Sequence, residues 1–437
     1  MLRLATSVAE LAAQPGVRAT LEWFRKERNW INEKHLNLCR IPAPTFFEEQ
    51  RAEWFVNEFR ALGWDAKIDR AGNVVANRPG YGGLPIVAVT AHLDTVFAPR
   101  SAEEIRVSNE GRFTGAGVSD NGAGLAALLA LAAAWHANPA LRDGPPEYFT
   151  GAPVLIANVG EEGEGNLSGM RYICRGLDGR GEVGRGDKES RGEKRDKNGR
   201  NDAERRALGD RPRGFLVLDG PGVEHITSRA LASRRFEIAV LGPGGHSWRD
   251  SYAGNPIHGV SRAITHFLDG ARDLNPSRST YNFGIIEGGV SINSIPTEAL
   301  AKIDLRSESN DSLEALSEIL MNAVELAADE ESGRSPAGRL SARIKEIGSR
   351  PSGGLADDAP ILDTLRAVDS FLGIRSHLDC SSTDANIPLS MGLQAVSIGA
   401  GGHGGGAHTS AEWFSPEGRD AGLRRIFLSL SVLLASE

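Results

Sequence analysis

Short apolar runs typical of buried strands alternate with helical patterns along this chain, and this alternation constrains its fold most strongly. The run I-V-A-V-T-A at residues 86–91 is rich in β-branched residues and predicts a strand buried on both faces. A helix is predicted at 122–136, and further buried strands are predicted at 153–158 and 214–219. Strands that alternate with helices in this way predict an α/β sheet covered by helices.

The segment 228–348 has its own order of predicted elements. These are a strand at 236–241, a helix at 256–268, strands at 281–286 and 299–305, a helix at 312–328 and a strand near 340–347. The order β-α-β-β-α-β is ferredoxin-like and can form an independent domain. Because the α/β pattern resumes afterwards, we predict a catalytic domain made of residues 1–227 and 349–437, with an α+β lid inserted at 228–348. A chain of 437 residues is long enough for two cores.

One segment, 178–213, interrupts the α/β pattern because it consists mostly of Gly, Arg, Lys, Asp and Glu. It has too few apolar residues to offset the entropy of ordering, which predicts a flexible insertion. A basic binding arm is the alternative, but acidic residues are interleaved with the basic ones throughout. A solvated loop is therefore the favoured interpretation.

The composition argues against binding to nucleic acid or membranes and indicates the compartment of the protein. The chain has 49 basic and 57 acidic residues, and a net charge of −8 disfavours nucleic acid and anionic membranes. The three cysteines form no C-x-x-C pair, which indicates a reducing compartment. The longest apolar run, 125–135, is too short to span a bilayer, and residues 1–17 lack a signal-peptide pattern. We predict a soluble cytoplasmic protein.

Side chains that can bind metals follow the predicted strands. His92 and Asp94 come directly after the first strand, where His92 can bind a metal while Asp94 accepts its other N–H group. Asp120 precedes the predicted helix at 122–136. Each position alone has a structural alternative, namely a His–Asp pair for the first two and a helix N-cap for Asp120.

Further candidates occupy glycine-rich turns. Glu161 and Glu162 follow the strand at 153–158, and Asp219 ends the strand at 214–219. His403 and His408 lie in G-A-G-G-H-G-G-G-A-H. A solvated acidic loop, a turn residue and a simple glycine loop are the respective structural alternatives. Because the carboxyl ends of strands in an open α/β sheet form a crevice, these side chains are predicted to converge.

The order of these motifs resembles a known family. The motifs are A-H-L-D-T-V at 91–96, G-A-G-V-S-D-N-G-A-G at 115–124, G-E-E-G at 160–163, Asp219, G-P-G-G-H-S at 242–247, G-G-V-S-I-N-S-I-P at 288–296, D-L-R at 304–306 and H-T-S-A-E at 408–412. Together they resemble the co-catalytic zinc hydrolases that include peptidase T, acetylornithine deacetylase, succinyl-diaminopimelate desuccinylase and glutamate carboxypeptidase. A related aminopeptidase family shares the first motifs but lacks the inserted lid.

This resemblance implies two divalent metal ions bridged by Asp120. His92 and Asp219 would complete the first metal site, and Glu162 and His408 the second. A shell of imidazole and carboxylate ligands suits Zn²⁺, with Mn²⁺ and Co²⁺ as alternatives. His403 does not match the ligand position and is interpreted as a loop histidine, with a ligand swap as the minority interpretation.

The resemblance also implies the residues that act on the substrate. Glu161 would be the general base and acid, and Asp94 would orient His92. His246 would stabilise the oxyanion, and it could instead cap a turn. In many dimeric relatives the lids pair and the equivalent histidine reaches the neighbouring subunit's site, so we predict a homodimer through the lid.

Two further positions, Asn293 and Arg306, match residues that contact substrate in the family. Arg306 could instead pair with Asp304. Asp219 is typical of the aminopeptidase, tripeptidase and dipeptidase members, whereas carboxypeptidases and desuccinylases tend to have Glu. The run S-S-T-D-A-N at 381–386 also resembles the peptidase T branch, where Asp384 would lie near the site or cap a helix.

The predicted function is hydrolysis of amide bonds in short peptides by a metal-bridged water. An N-acyl-amino-acid deacylase or related amidohydrolase that uses the same site is the alternative within enzymes. A metal-binding protein without catalytic activity is the alternative outside them, and retention of every ligand type together with Glu161 argues against it.

Overall fold

A computed structural model describes residues 8–175, 212–272, 278–335 and 338–436. The chain divides into a first unit, Met1–Arg229 with Gly353–Glu437, and a second unit, Ala230–Ser352. Most of the predicted flexible insertion, residues 178–211, lies outside the described residues. Within the described ranges, no helix combines the length and apolar character needed to cross a bilayer.

Helices and short strands occur throughout both units. The helices are α1 (Val8–Ala13), α2 (Pro15–Lys26), α3 (Arg28–Cys39), α4 (Glu49–Ala61), α5 (Gly122–Ala137), α6 (Pro139–Arg142), α7 (Ser168–Ile173), α8 (Pro256–Arg272), α9 (Asn310–Gly333), α10 (Pro360–Leu372), α11 (Asn386–Ser390) and α12 (Arg419–Ala435). The strands are β1 (Asp65–Ile68), β2 (Val74–Asn77), β3 (Ile86–His92), β4 (Arg106–Val107), β5 (Phe113–Thr114), β6 (Ala152–Asn158), β7 (Gly214–Leu218), β8 (His225–Ala230), β9 (Ala232–Leu241), β10 (Gly245–His246), β11 (Ser279–Gly288), β12 (Ser294–Ile295), β13 (Glu298–Ser307), β14 (Ser341–Arg350), β15 (Gly353–Gly354), β16 (His377–Ser381), β17 (Ala395–Ile398), β18 (His403–Gly405) and β19 (Trp413–Ser415).

A mixed sheet forms the centre of the first unit. Its strand order is β1-β2-β6-β3-β7-β17-β8-β15, and β16 also pairs with β8. The predicted strands become β3, β6 and β7, which are mutually parallel along the β6-β3-β7 path and almost fully buried. The peripheral strands β1 and β8 escaped prediction because exposed polar residues interrupt their apolar pattern. The predicted α/β fold is confirmed.

The main core lies between this sheet and the helices, and α5 is its central helix. Every residue of α5 from Gly122 to Trp135 is buried, and its apolar side chains face all directions. A helix that is hydrophobic all round needs partners on every side, which fits its position against α3 and β3. The buried start of α5 therefore holds the preceding residues, including Asp120, close to the sheet.

The second unit is built on a four-stranded antiparallel sheet and two long helices. Its strand order is β11-β13-β9-β14, with α8 and α9 supplying the apolar residues packed against β9 and β13. Along the chain this is β9-α8-β11-β13-α9-β14, so the predicted ferredoxin-like order is confirmed. A short antiparallel ribbon, β10 with β12, adjoins this sheet in sequence and pairs His246 with Ser294.

Candidate metal centre

The central strands deliver polar side chains to one edge of the sheet. Strand β3 ends at His92, β6 is followed by Glu161 and Glu162, and β7 is followed directly by Asp219. Because β3 is parallel to both β6 and β7, the carboxyl ends of all three lie at the same edge. The predicted convergence of these residues follows from this pairing.

Asp120 lies at the centre of the cluster. The N-cap of α5 is the next residue, Asn121, whose Oδ1 atom accepts a hydrogen bond from the Gly124 amide at 3.1 Å. The Asp120 carboxylate is therefore not needed for capping. Its Oδ1 lies 3.1 Å from Nε2 of His92, and its Oδ2 lies 3.1 Å from Nε2 of His408. Each oxygen thus faces a different histidine.

A second carboxylate stands beside each of these histidines. Nε2 of His408 lies 2.8 Å from Oε1 of Glu162, and Nε2 of His92 lies 3.8 Å from Oδ1 of Asp219. One ligand atom each from His92, Asp120 and Glu162 falls within 4.8 Å of the others, a group that could hold a metal ion. The five predicted ligands therefore form two imidazole–carboxylate sets joined by Asp120.

The electrostatics of the cluster follow from this arrangement. Burial lowers the pKa of His92, but hydrogen bonds to Asp120, Asp219 and Asp94 outweigh it and hold that pKa well above its ordinary value. Hydrogen bonds to Asp120 and Glu162 raise the pKa of His408 to about 10. Burial opposes ionisation of Asp120, yet the two histidines keep its pKa below the usual range. Carboxylates in excess of imidazoles favour positive charge at this edge.

Asp94 organises the turn that contains the two glutamates. Its Oδ1 accepts the Glu161 amide at 3.0 Å, and its Oδ2 accepts the Glu162 amide at 2.9 Å. Thr45 donates to the same Oδ2 at 3.0 Å, a contact that the sequence does not signal. Nδ1 of His92 lies 2.9 Å from the backbone carbonyl of Asp94 and 3.5 Å from its carboxylate. His92 is therefore nearer to the Asp94 carbonyl than to the Asp94 carboxylate, which was the predicted acceptor.

Two other predicted positions, Asp384 and His403, lie outside the two imidazole–carboxylate sets. Asp384 is buried, and its Oδ2 accepts the side-chain amide of Asn158 at 2.6 Å. Burial raises the pKa of Asp384 to about 7, although the charge of His92 opposes this shift. Its helix, α11, begins at Asn386, and the capping position belongs to Ala385. His403 is the exposed first residue of strand β18, whose other two residues are half-buried.

The remaining predicted site residues lie in the second unit. The Nδ1 atom of His246 accepts the Trp248 amide at 3.2 Å, so a neutral imidazole carries its proton on Nε2. Asn293 is exposed and accepts from Ser291 through its Oδ1 at 2.6 Å. Arg306 donates to Asp304 at 2.6 Å, which is the structural alternative foreseen for it.

Two segments of the chain, one in each unit, match known peptidase families. Residues 230–332 match the family described as a peptidase dimerisation domain, and residues 73–173 match peptidase family M28. The cytosol non-specific dipeptidase of Escherichia coli is 27% identical over 322 residues, which cover 67% of this chain and 57% of the dipeptidase. The predicted resemblance to peptidases is confirmed.

Solved structures of such hydrolases share the fold. Aminopeptidase PepT from Bacillus cereus is 20% identical with a TM-score of 0.65, and the match covers 93% of this chain and 98% of that one. An amidase of the hydantoinase/carbamoylase family from Burkholderia vietnamiensis is 17% identical with a TM-score of 0.67, covering 94% and 97% respectively. Peptidases and amidases of this kind therefore share one architecture with this chain.

Proposed function

We propose that this protein is a dinuclear metal-dependent hydrolase that cleaves amide bonds of short peptides. One observation carries the proposal: the two oxygens of Asp120 face two separate imidazole–carboxylate sets, His92 with Asp219 and His408 with Glu162. A shared carboxylate between two such sets is what a pair of adjacent cations requires.

The donor set fits divalent metals. Nitrogen and carboxylate oxygen ligands without thiolate suit Zn²⁺, with Mn²⁺ and Co²⁺ as alternatives. The carboxylates that raise the pKa of both histidines would equally attract divalent cations. Bound at these ligands, the metals would lower the pKa of a water molecule and polarise the substrate carbonyl.

Glu161 is the proposed general base and acid. It is buried next to the proposed ligand Glu162, and the Asp94 carboxylate holds the amides of both residues. A carboxylate in this position takes a proton from the attacking water and delivers it to the leaving amine. Asp94 supports this step indirectly, since it keeps the turn and His92 in place.

His246 is the proposed donor to the oxyanion. Its Nε2–H group is available because Nδ1 already accepts the Trp248 amide, and an N–H donor aimed at the developing charge lowers the barrier. Asn293 and Arg306 are proposed substrate contacts. The match to a peptidase dimerisation domain supports a homodimer through the second unit, in which His246 acts at the partner's site.

A second candidate function uses the same site on a different amide. The amidase from Burkholderia vietnamiensis matches this fold as well as the aminopeptidase does, which supports an N-acyl-amino-acid deacylase as the alternative. The similarity to the E. coli dipeptidase, whose name describes it as a cytosol protein, supports peptides as the substrates of this protein and the cytoplasm as its location.

The test is a substrate panel on the purified protein with Zn²⁺, Mn²⁺ or Co²⁺. Di- and tripeptides are compared with N-acetyl amino acids, and bound metal is measured by elemental analysis. We expect two divalent ions per chain, peptide hydrolysis and complete loss of turnover on chelation. Hydrolysis of N-acetyl amino acids alone would select the deacylase, and an active preparation without divalent metal would refute the proposed function.

A further inference from the structure

Glu412 is a buried carboxylate whose partners all belong to the loop that carries Asp120. Its Oε1 accepts the amides of Ser119 at 2.7 Å and of Asp120 at 2.9 Å, and its Oε2 accepts the amide of Gly117 at 2.7 Å. The residue is 4% exposed. One buried carboxylate therefore accepts three backbone amides of this loop.

Two backbone carbonyl groups of the same loop also form hydrogen bonds. Nε2 of His35 lies 2.8 Å from the Val118 carbonyl, and Nδ1 of His35 accepts from Arg419 at 2.6 Å. The Gly117 carbonyl accepts the Gly122 amide at 2.9 Å. The backbone of the loop is thus fixed by hydrogen bonds, and three of its amides donate to Glu412.

Glu412 also belongs to the segment that carries His408. The amide of Thr409 donates to the Gly406 carbonyl at 3.1 Å, and the amide of Glu412 donates to the Thr409 carbonyl at 3.4 Å, so tight turns separate His408 from Glu412. The Glu412 carbonyl in turn accepts the amide of Gly115 at 3.1 Å. One residue therefore ties the His408 segment to the Asp120 loop.

We propose that Glu412 is a positioning residue that sets the distance between Asp120 and His408 for metal binding. The inference rests on the proposed function, since it concerns the same two ligands. The histidine and the aspartate are far apart in sequence, and the Glu412 carboxylate joins their segments through three hydrogen bonds. Loss of the carboxylate frees three amides and lets the two ligands separate.

The experiment compares Glu412→Gln with the matched variant Glu331→Gln. Glu331 is similarly buried, at 5% exposed, and lies in the second unit, where its carboxylate contacts the Asn255 amide, His258 and Arg262. At position 412, Gln keeps the size of Glu, but its side-chain amide nitrogen must face a backbone N–H donor of the Asp120 loop. Glu412→Ala is included as the larger change, and each full-length variant is titrated calorimetrically with Zn²⁺ after chelation.

We expect Glu412→Gln to raise the Kd for Zn²⁺ by roughly 10-fold and Glu412→Ala by up to about 100-fold, the range found when the partner of a metal ligand is removed. Glu331→Gln should leave that Kd unchanged, even if its melting temperature falls. Excess Zn²⁺ should restore the kcat of Glu412→Gln, which a role confined to stability does not predict.

Unchanged Zn²⁺ affinity in a folded Glu412→Gln protein would overturn the inference while leaving the proposed function intact. If Glu412→Ala fails to fold, the Gln variant decides the question. A wild-type protein that binds no divalent metal would instead refute the proposed function, and this inference with it.

Discussion

The strand edge of the first unit and the β10–β12 ribbon of the second unit carry predicted site residues in opposite surroundings. His92 is 2% exposed, and Glu161 and Glu162 are each 5% exposed. His246 and Asn293 are exposed on the ribbon and the loop beside it. Buried groups with several contacts each are preorganised by their own unit, whereas the exposed groups of the ribbon depend more on substrate or another subunit. The proposed ligand His408 is an exception at the strand edge, since its side chain is 53% exposed.

The charges differ in the same way. At the strand edge, Asp120 faces two histidines, and its carboxylate shifts the pKa of both. In the second unit, Arg306 pairs with Asp304, which also pairs with Arg235. Removal of a group should therefore be most damaging where a buried side chain serves several partners, and least damaging where an exposed side chain such as Arg306 shares a counter-ion with another arginine.

The largest effect is expected from Asp120→Ala. This change removes the only carboxylate shared by both imidazole–carboxylate sets, so both metals should be lost and turnover should fall below detection. Asp219→Ala is the control, because it removes a carboxylate from one set and should leave about one metal per chain bound. Elemental analysis after dialysis measures the difference, and two retained metals in Asp120→Ala would show that Asp120 is not shared.

Glu161→Gln should have the next largest effect. The variant keeps the shape of the side chain and removes its proton acceptor, so kcat should fall by at least ~10²-fold while metal content stays at the wild-type value. Steady-state kinetics and metal analysis on the same preparation check both parts. Near-normal turnover would assign the general base to another residue.

A moderate effect is expected from mixing two nearly inactive variants, Glu161→Gln and His246→Ala. If His246 acts at the partner's site, each mixed dimer has one site lacking both groups and one intact site. Random subunit exchange should then restore about a quarter of wild-type activity.

No recovery after verified exchange would exclude action of His246 on the partner. Each site in the mixture would then still lack one group, as expected for a histidine that acts within its own chain or has a structural role.

The smallest effect is expected from Arg306→Ala. The side chain is 40% exposed and paired with Asp304, and exposed ion pairs of this kind contribute about 1 kcal/mol or less. We expect a several-fold rise in KM with kcat and unfolding free energy nearly unchanged. Arg272→Ala, which breaks the exposed pair with Asp269 on α8, is the control. Equal KM values for wild type and both variants would limit Arg306 to its ion pair.

Much of the fold was predictable from the sequence because its signals are local. The strands β3, β6 and β7 are continuous apolar runs, and the helix α5 begins at Gly122, the residue predicted for its start. Four of the five proposed ligands stand next to these elements in the chain, whereas His408 lies between β18 and β19 and was located by its motif. The short strands β4, β5, β18 and β19 were missed, since two or three residues carry no periodicity.

The sequence by itself determined which residues could form a metal site, because strand ends and the motif order specify residue types and their edge of the sheet. Only the tertiary structure decided how these residues are held. Thr45 meets Asp94, and Glu412 meets Gly117 across 295 positions of the chain. Such contacts depend on which segments pack together in three dimensions, and no local pattern of residues encodes them.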